Sequence, residues 1–265
     1  EDAGPLAHPV QPKSYIEINN FYTATVYEKG AEIMRMIATL IGRDAFAKGL
    51  TLYLERHDGS AATVADFIAA MADASGTDLD QFRGWYDQAG TPRLAIRGHY
   101  DAARKTYDLT VTQSSDGPAL HIPLRVGLLD GAGRDMMLRL DGDGRQDAAT
   151  TRVLSVRQTT QTFRFSDIGE APTPSLLRGF SAPVILDPPP GDTAFCMVHD
   201  SDPFARWEAG QQRATALLLD MVAAIQAGAK PGGGDALADA FGMLLRDNRD
   251  GDTAFLAQML TLPGE

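Results

Sequence analysis

Gly90-Thr91-Pro92-Arg93-Leu94-Ala95-Ile96 divides this sequence into two hydrophobic textures. After Arg93 apolar residues recur at every second position: Leu94 and Ile96, then Tyr107, Leu109 and Val111, then Ile122, Leu124, Val126 and Leu128. Alternation of this kind turns one face of an extended chain to a core and the other to water. Further short runs at 136–140, 152–156, 161–165 and 176–180 bring the total to about seven strands. Their separators are turn-formers: Ser114-Ser115-Asp116-Gly117, Asp130-Gly131-Ala132-Gly133 and Asp141-Gly142-Asp143-Gly144. The spacing predicts a β-sandwich over residues 93–188, with Pro188-Pro189-Pro190 as a stiff joint at its end.

Before that point the period is helical. Pro5, Pro9 and Pro12 keep the first dozen residues extended. From Ala31 the polar residues Glu32, Arg35 and Thr39 form a thin stripe among Ile33, Met34, Met36, Ile37, Leu40 and Ile41, so this helix is expected to be mostly buried. Gly42 ends it, and a second helix carries Phe46, Leu50, Tyr53 and Leu54. Thr63 with Asp66, and Asp78 with Gln81, read as two capping boxes, the second ahead of Phe82, Trp85 and Tyr86. After Gly191 helices return: Asp202-Pro203 is an N-cap with proline at the first helical position, and Asp235 and Asp252 are expected caps. Phe204, Trp207, Leu217, Leu218, Met221, Val222 and Ile225 give the longest of these helices its apolar face. The expected class is α+β multidomain: a helical segment 1–92, a sandwich 93–188 and the beginning of a helical domain 189–265.

Composition narrows the function. The 265 residues hold 24 Lys+Arg against 35 Asp+Glu, a net charge of −11, with 44% hydrophobic and 22% charged residues. Such a balance excludes a disordered acidic tail, a collagen-like fibre and a coiled coil, and it disfavours nucleic acid as a partner. No apolar run approaches the ~18 residues of a membrane span. The single cysteine, Cys196, cannot form an intramolecular disulfide and reads as a core thiol. Phosphate-binding glycine loops, G-x-S-x-G, C-x-x-C and H-E-x-x-H are all absent, and His8, His57, His99, His121 and His199 are scattered. Asp141-Gly142-Asp143-Gly144 lacks the spacing of a calcium loop and reads as a β-turn. Arg56-His57-Asp58-Gly59-Ser60 reads as a helix end and turn rather than a triad.

The most distinctive stretch is Ser14-Tyr15-Ile16-Glu17-Ile18-Asn19-Asn20-Phe21-Tyr22-Thr23-Ala24-Thr25-Val26-Tyr27-Glu28-Lys29-Gly30-Ala31-Glu32. Tyr27 stands at the start of the first long helix, with Gly30 one turn on expected to leave space beside it. Two readings fit the residues: a core aromatic, or a rigid phenol that donates a hydrogen bond to a reacting oxyanion.

Val26-Tyr27-Glu28-Lys29-Gly30-Ala31-Glu32 resembles a signature of bacterial aminopeptidase N, a gluzincin zinc aminopeptidase family. Glu1-Asp2-Ala3-Gly4-Pro5 with Ala7-His8-Pro9, Glu55 through Thr63, Trp85-Tyr86 through Gly90-Thr91-Pro92, and Phe180-Ser181-Ala182-Pro183-Val184 resemble proteobacterial members in the same order. The resemblance implies that 1–92 is the helical end of a thermolysin-like catalytic domain, 93–188 an immunoglobulin-like sandwich, and 189–265 the start of a C-terminal helical domain. It implies peptide substrates, no nucleic-acid or membrane partner, a cytoplasmic location and a full-length monomer with one zinc ion. The family's zinc ligands, general-base Glu and G-A-M-E-N segment precede this stretch, so the chain is expected to be a fragment, inactive without the rest of the aminopeptidase. By resemblance Tyr27 is the tyrosine whose phenol bonds the tetrahedral oxyanion, Tyr22 lines the pocket for the substrate's first side chain, and Asn19 borders the site. Glu28 and Lys29 have no chemical role on this reading beyond an ion pair near the helix start. The competing expectation is a non-catalytic sandwich module that binds a protein partner.

Overall fold

Gly42, with φ of +83°, is where the first helical run turns a corner. It separates α1 (Gly30–Ile41) from α2 (Arg43–His57) in a computed structural model that describes residues 2–144, 148–187, 192–247 and 251–264. The capping box opens α3 (Val64–Ser75): the Asp66 N–H donates to Thr63 Oγ1 at 3.3 Å, and the Thr63 N–H to Asp66 Oδ2 at 2.8 Å. The second expected box does not form. Asp78 Oδ1 instead accepts from the Asp80 N–H two residues on, an Asx turn. The Gln81 side chain is drawn away to the carbonyls of Ala119 and Arg157. The result is a 3₁₀ turn (Gln81–Arg83) running into the one-turn α4 (Gly84–Asp87).

Eight strands follow among the described residues. One sheet has the order β4-β6-β2-β1-β8, with β1 (Arg93–Asp101), β2 (Thr106–Ser114), β4 (Arg139–Leu140), β6 (Thr160–Ser166) and β8 (Ile185–Leu186). The other has the order β5-β3-β7, with β3 (Ile122–Leu129), β5 (Arg152–Val156) and β7 (Thr173–Leu176). All pairings are antiparallel except β1 with β8, which run side by side through Arg93↔Ile185 and Leu94↔Leu186. Their inward residues Leu94, Leu109, Val111, Ile122, Leu124 and Phe165 are fully or almost fully buried.

Two expected strands are reshaped. Of the run 136–140 only Arg139–Leu140 pairs as a strand, with Leu138 bridged to Ala149. The run 176–180 is no strand beyond Leu176, because Leu177, Gly179 and Phe180 all have positive φ and break the extended backbone. The proline joint at 188–190 lies outside the described residues.

Helices α5 (Thr193–His199), α6 (Pro203–Gln226), α7 (Asp235–Asp247) and α8 (Thr253–Met259) complete the chain. Asp202 and Asp252 cap α6 and α8, while Asp235 is itself the first residue of α7. No helix among the described residues is long and apolar enough to cross a membrane. One core cluster runs without a break from Ile33, Met36 and Ile37 of α1 through Phe67, Met71, Phe82 and Trp85 into the sandwich. A second gathers Cys196, Met197, Ala209, Ala214, Leu237, Leu244 and Met259.

Candidate active-site surface

The segment ahead of α1 is shaped by short-range polar bonds. Asn20 Oδ1 accepts from the N–H groups of Ile16 and Glu17 and closes a 3₁₀ turn over Ile18–Phe21, where the Phe21 ring packs 4.5 Å from that of Tyr15. Thr23 starts the next turn: its Oγ1 accepts from the Val26 N–H at 3.1 Å and its carbonyl from the Tyr27 N–H at 3.1 Å. That turn, Thr25–Lys29, is π-helical and leads straight into α1. Widened turns of this kind recur at functional sites, because they re-aim a side chain that a regular helix would lay against its own surface.

Tyr27 is carried on this turn and is 58% exposed, so it is not a core aromatic. Its ring stacks on Tyr22, with centroids 6.0 Å apart and planes inclined by 20°. The described residues offer no hydrogen-bond partner to its hydroxyl, which is free to donate outward. Asn19, also exposed, accepts from the Asn20 side-chain amide at 3.2 Å, and its carbonyl accepts from the Tyr22 N–H at 3.1 Å. Leu6, Tyr15, Ile16 and Ile18 extend the same stretch as unusually exposed apolar residues, Ile16 being 98% exposed.

Two local expectations are corrected. Lys29 does not pair with Glu28, which is exposed; it is buried, and its Nζ donates to Asp2 Oδ2 at 2.9 Å and to the Gly90 carbonyl at 2.8 Å. Gly30 faces Val10 rather than Tyr27, and a Cβ there would make ordinary van der Waals contact with Val10 Cγ1 at 3.6 Å. The polar stripe of α1 also has a use: Arg35 bonds Glu32 and the carbonyls of Gly179 and Phe180, and its guanidinium lies 5.1 Å from the Phe180 ring centre. The turn bearing Tyr27 is thus tied by Lys29 to Asp2 and Gly90, and α1 behind it is tied by Arg35 to Gly179 and Phe180 of the sandwich.

Other singled-out residues are structural. Cys196 is buried, and burial pushes its thiol up to about 12. Ser60 Oγ donates to the His57 carbonyl, closing the turn at the end of α2. The Asp143 carboxylate takes the Leu140 N–H and pairs with Arg152, a turn rather than a cation loop. Among the described residues no three His, Cys, Asp or Glu side chains converge as a metal site.

Sequence reading missed Asp2 as the partner of Lys29, although both lie in stretches that carry the family resemblance. It also missed Arg178, buried inside what read as a strand.

A helical segment that opens with this turn is followed by a sandwich and a second helical segment, and each part matches a family model of its own. Residues 1–86 match the peptidase family M1 domain, residues 90–189 a domain of unknown function with an Ig-like fold, and residues 190–265 a domain of unknown function with ARM repeats. Along its whole length the chain is similar to bacterial aminopeptidase N. It is 43% identical to aminopeptidase N of Escherichia coli, over 99% of this chain and 31% of that protein. It is 47% identical to aminopeptidase N of Caulobacter vibrioides, over 100% of this chain and 30% of that protein. Among solved structures it superposes on Legionella pneumophila aminopeptidase A in complex with aspartic acid, with a TM-score of 0.84 and 30% identity over 98% of this chain and 29% of that one. The chain thus spans about a third of the length of these relatives. A stand-alone interaction module is not favoured by these matches.

Proposed function

We propose that this chain forms one wall of the active site of a cytoplasmic, monomeric zinc aminopeptidase that removes N-terminal residues from peptides. The observation that carries the reading is Tyr27: an exposed phenol, unpartnered among the described residues, stacked on Tyr22 and mounted on a π-turn inside the stretch that matches the peptidase domain.

When a peptide carbonyl goes tetrahedral its oxygen gains a full negative charge. A donor already aimed at that position stabilises the charged state more than the neutral carbonyl and lowers the barrier. On this reading Tyr27 takes that part, its hydroxyl donating to the oxyanion. Tyr22 offers its ring to the side chain of the residue being removed, and Asn19 borders the same surface. No cluster able to hold the zinc of the proposed enzyme converges among the described residues. Alone, residues 1–265 should neither bind zinc stoichiometrically nor cleave an alanyl chromogenic substrate.

In the intact enzyme, Tyr27→Phe removes one hydroxyl and should lower kcat by about 10²–10³. KM should stay within about 3-fold, because the lost bond is made only in the transition state. Steady-state kinetics on an alanyl substrate checks this, and an unchanged kcat would remove Tyr27 from the mechanism.

A further inference from the structure

We infer that Lys29 is a positioning residue for Tyr27, acting through its buried tie to Asp2 and Gly90. The inference rests on the oxyanion role proposed for Tyr27 and extends it to a residue that touches no substrate.

The Lys29 side chain is only 8% exposed, and its ammonium meets Asp2 Oδ2 at 2.9 Å and the Gly90 carbonyl at 2.8 Å. A buried ammonium is costly unless paired and hydrogen-bonded, so this is a fixed point rather than a solvated surface pair. The same Asp2 Oδ2 accepts from Thr91 Oγ1 at 3.1 Å. Three stretches far apart in sequence therefore meet at one carboxylate oxygen: the extended lead-in, the end of the π-turn, and the Gly90-Thr91 strap that enters β1.

Lys29 is the last residue of the turn that carries Tyr27, two positions away. The Tyr27 ring has little holding of its own, being more than half exposed with Tyr22 as its ring partner. Where its hydroxyl points is thus inherited from the backbone of the turn, and the backbone is anchored at Lys29. Oxyanion donors work over a few tenths of an ångström, and a misplacement of about 1 Å can cost ~10²-fold in rate.

The test uses the full-length aminopeptidase carrying this chain, with Lys29→Met and Asp2→Asn made singly and in a Tyr27→Phe background. Lys29→Met is expected to lower kcat by roughly 10- to 10²-fold with KM within about 3-fold. In the Tyr27→Phe background the same change should cost no more than about 2-fold, because the group being positioned is already gone. Asp2→Asn keeps the volume and removes the charge, and it carries the same comparison if Lys29→Met does not accumulate as folded protein. A full kcat in both single variants would overturn the inference, and so would an equal loss with and without the Tyr27 hydroxyl. Either result leaves the role of Tyr27 standing. An unchanged kcat in Tyr27→Phe itself would overturn the oxyanion reading and this inference with it.

Discussion

Arg178 joins the sandwich to the helices that follow. Its guanidinium, on a side chain 3% exposed, donates to Ser175 Oγ at 2.7 Å, Thr151 Oγ1 at 2.9 Å, Asp135 at 2.6 Å and Asp200 at 3.3 Å, and Asp200 is 1% exposed. Removing one member of a buried pair strands the other charge, typically at a cost of about 3–5 kcal/mol. Arg178→Met should therefore lower the unfolding free energy by about 3–5 kcal/mol, read from the urea midpoint at unchanged m-value; a loss under about 1 kcal/mol would mean Asp200 finds its compensation elsewhere. His121 makes a different prediction. It is fully buried, with Nε2 2.8 Å from Ser155 Oγ and Nδ1 without a partner, and burial pulls it down to about 4. Between that value and the unfolded value near 6.5 the unfolded chain holds the extra proton, so stability falls as pH drops through this window. The lowered carboxylates, such as Asp108 held down by Arg164, act only below their ordinary range. His121→Gln should abolish up to about 3 kcal/mol of the loss between pH 6.5 and 4, read as the difference between two denaturation series.

At the scale of elements, Gly49 sets how closely α2 and α3 approach. A Cβ there would lie 2.5 Å from Met71 Sδ and 3.2 Å from Met71 Cα, the latter a backbone atom that moves only with its helix. Alanine would ordinarily strengthen a helix by about 1 kcal/mol over glycine. Here Gly49→Ala should instead destabilise by roughly 1–3 kcal/mol, seen as a lower Tm, because overpacking outweighs propensity. The case shows which elements could be read from sequence. Strand β2 alternates cleanly because it has one buried face, β3 carries the same apolar period although both its faces are buried, and the Thr63–Asp66 box is a local contact that four residues specify. The turn at Asp78 was misread because Gln81 has better partners 38 and 76 residues away. The stretch after Leu176 was misread because its apolar residues are buried in a loop whose path depends on Arg178 finding Asp135 and Asp200. The candidate site divides the same way: Tyr22 and Tyr27 stand out within one short segment, while Asp2, Lys29 and Gly90 converge only in three dimensions.

For the whole molecule, the decisive fact is that the core does not stop at the end of the first helical segment. Ile33, Met36, Ile37, Phe82 and Trp85 share one apolar cluster with the strands, and the Trp85 indole donates to the His121 carbonyl at 2.9 Å. Residues 1–92 produced alone should therefore expose this face, bind a hydrophobic dye and melt without a cooperative transition. Sharp two-state unfolding of that piece would show a self-sufficient core. The parallel pairing of β8 with β1 has a practical use. It brings the chain into the sandwich and out of it at the same edge, at Arg93 and Leu186. The turn between β1 and β2, Ala102–Lys105, is exposed and stands at the far end of a nine-residue strand, about 26 Å from that edge. A fluorophore, tether or grafted reporter placed at Ala103 would ride on the rim of the molecule, leaving both passages of the chain and the tyrosine turn untouched.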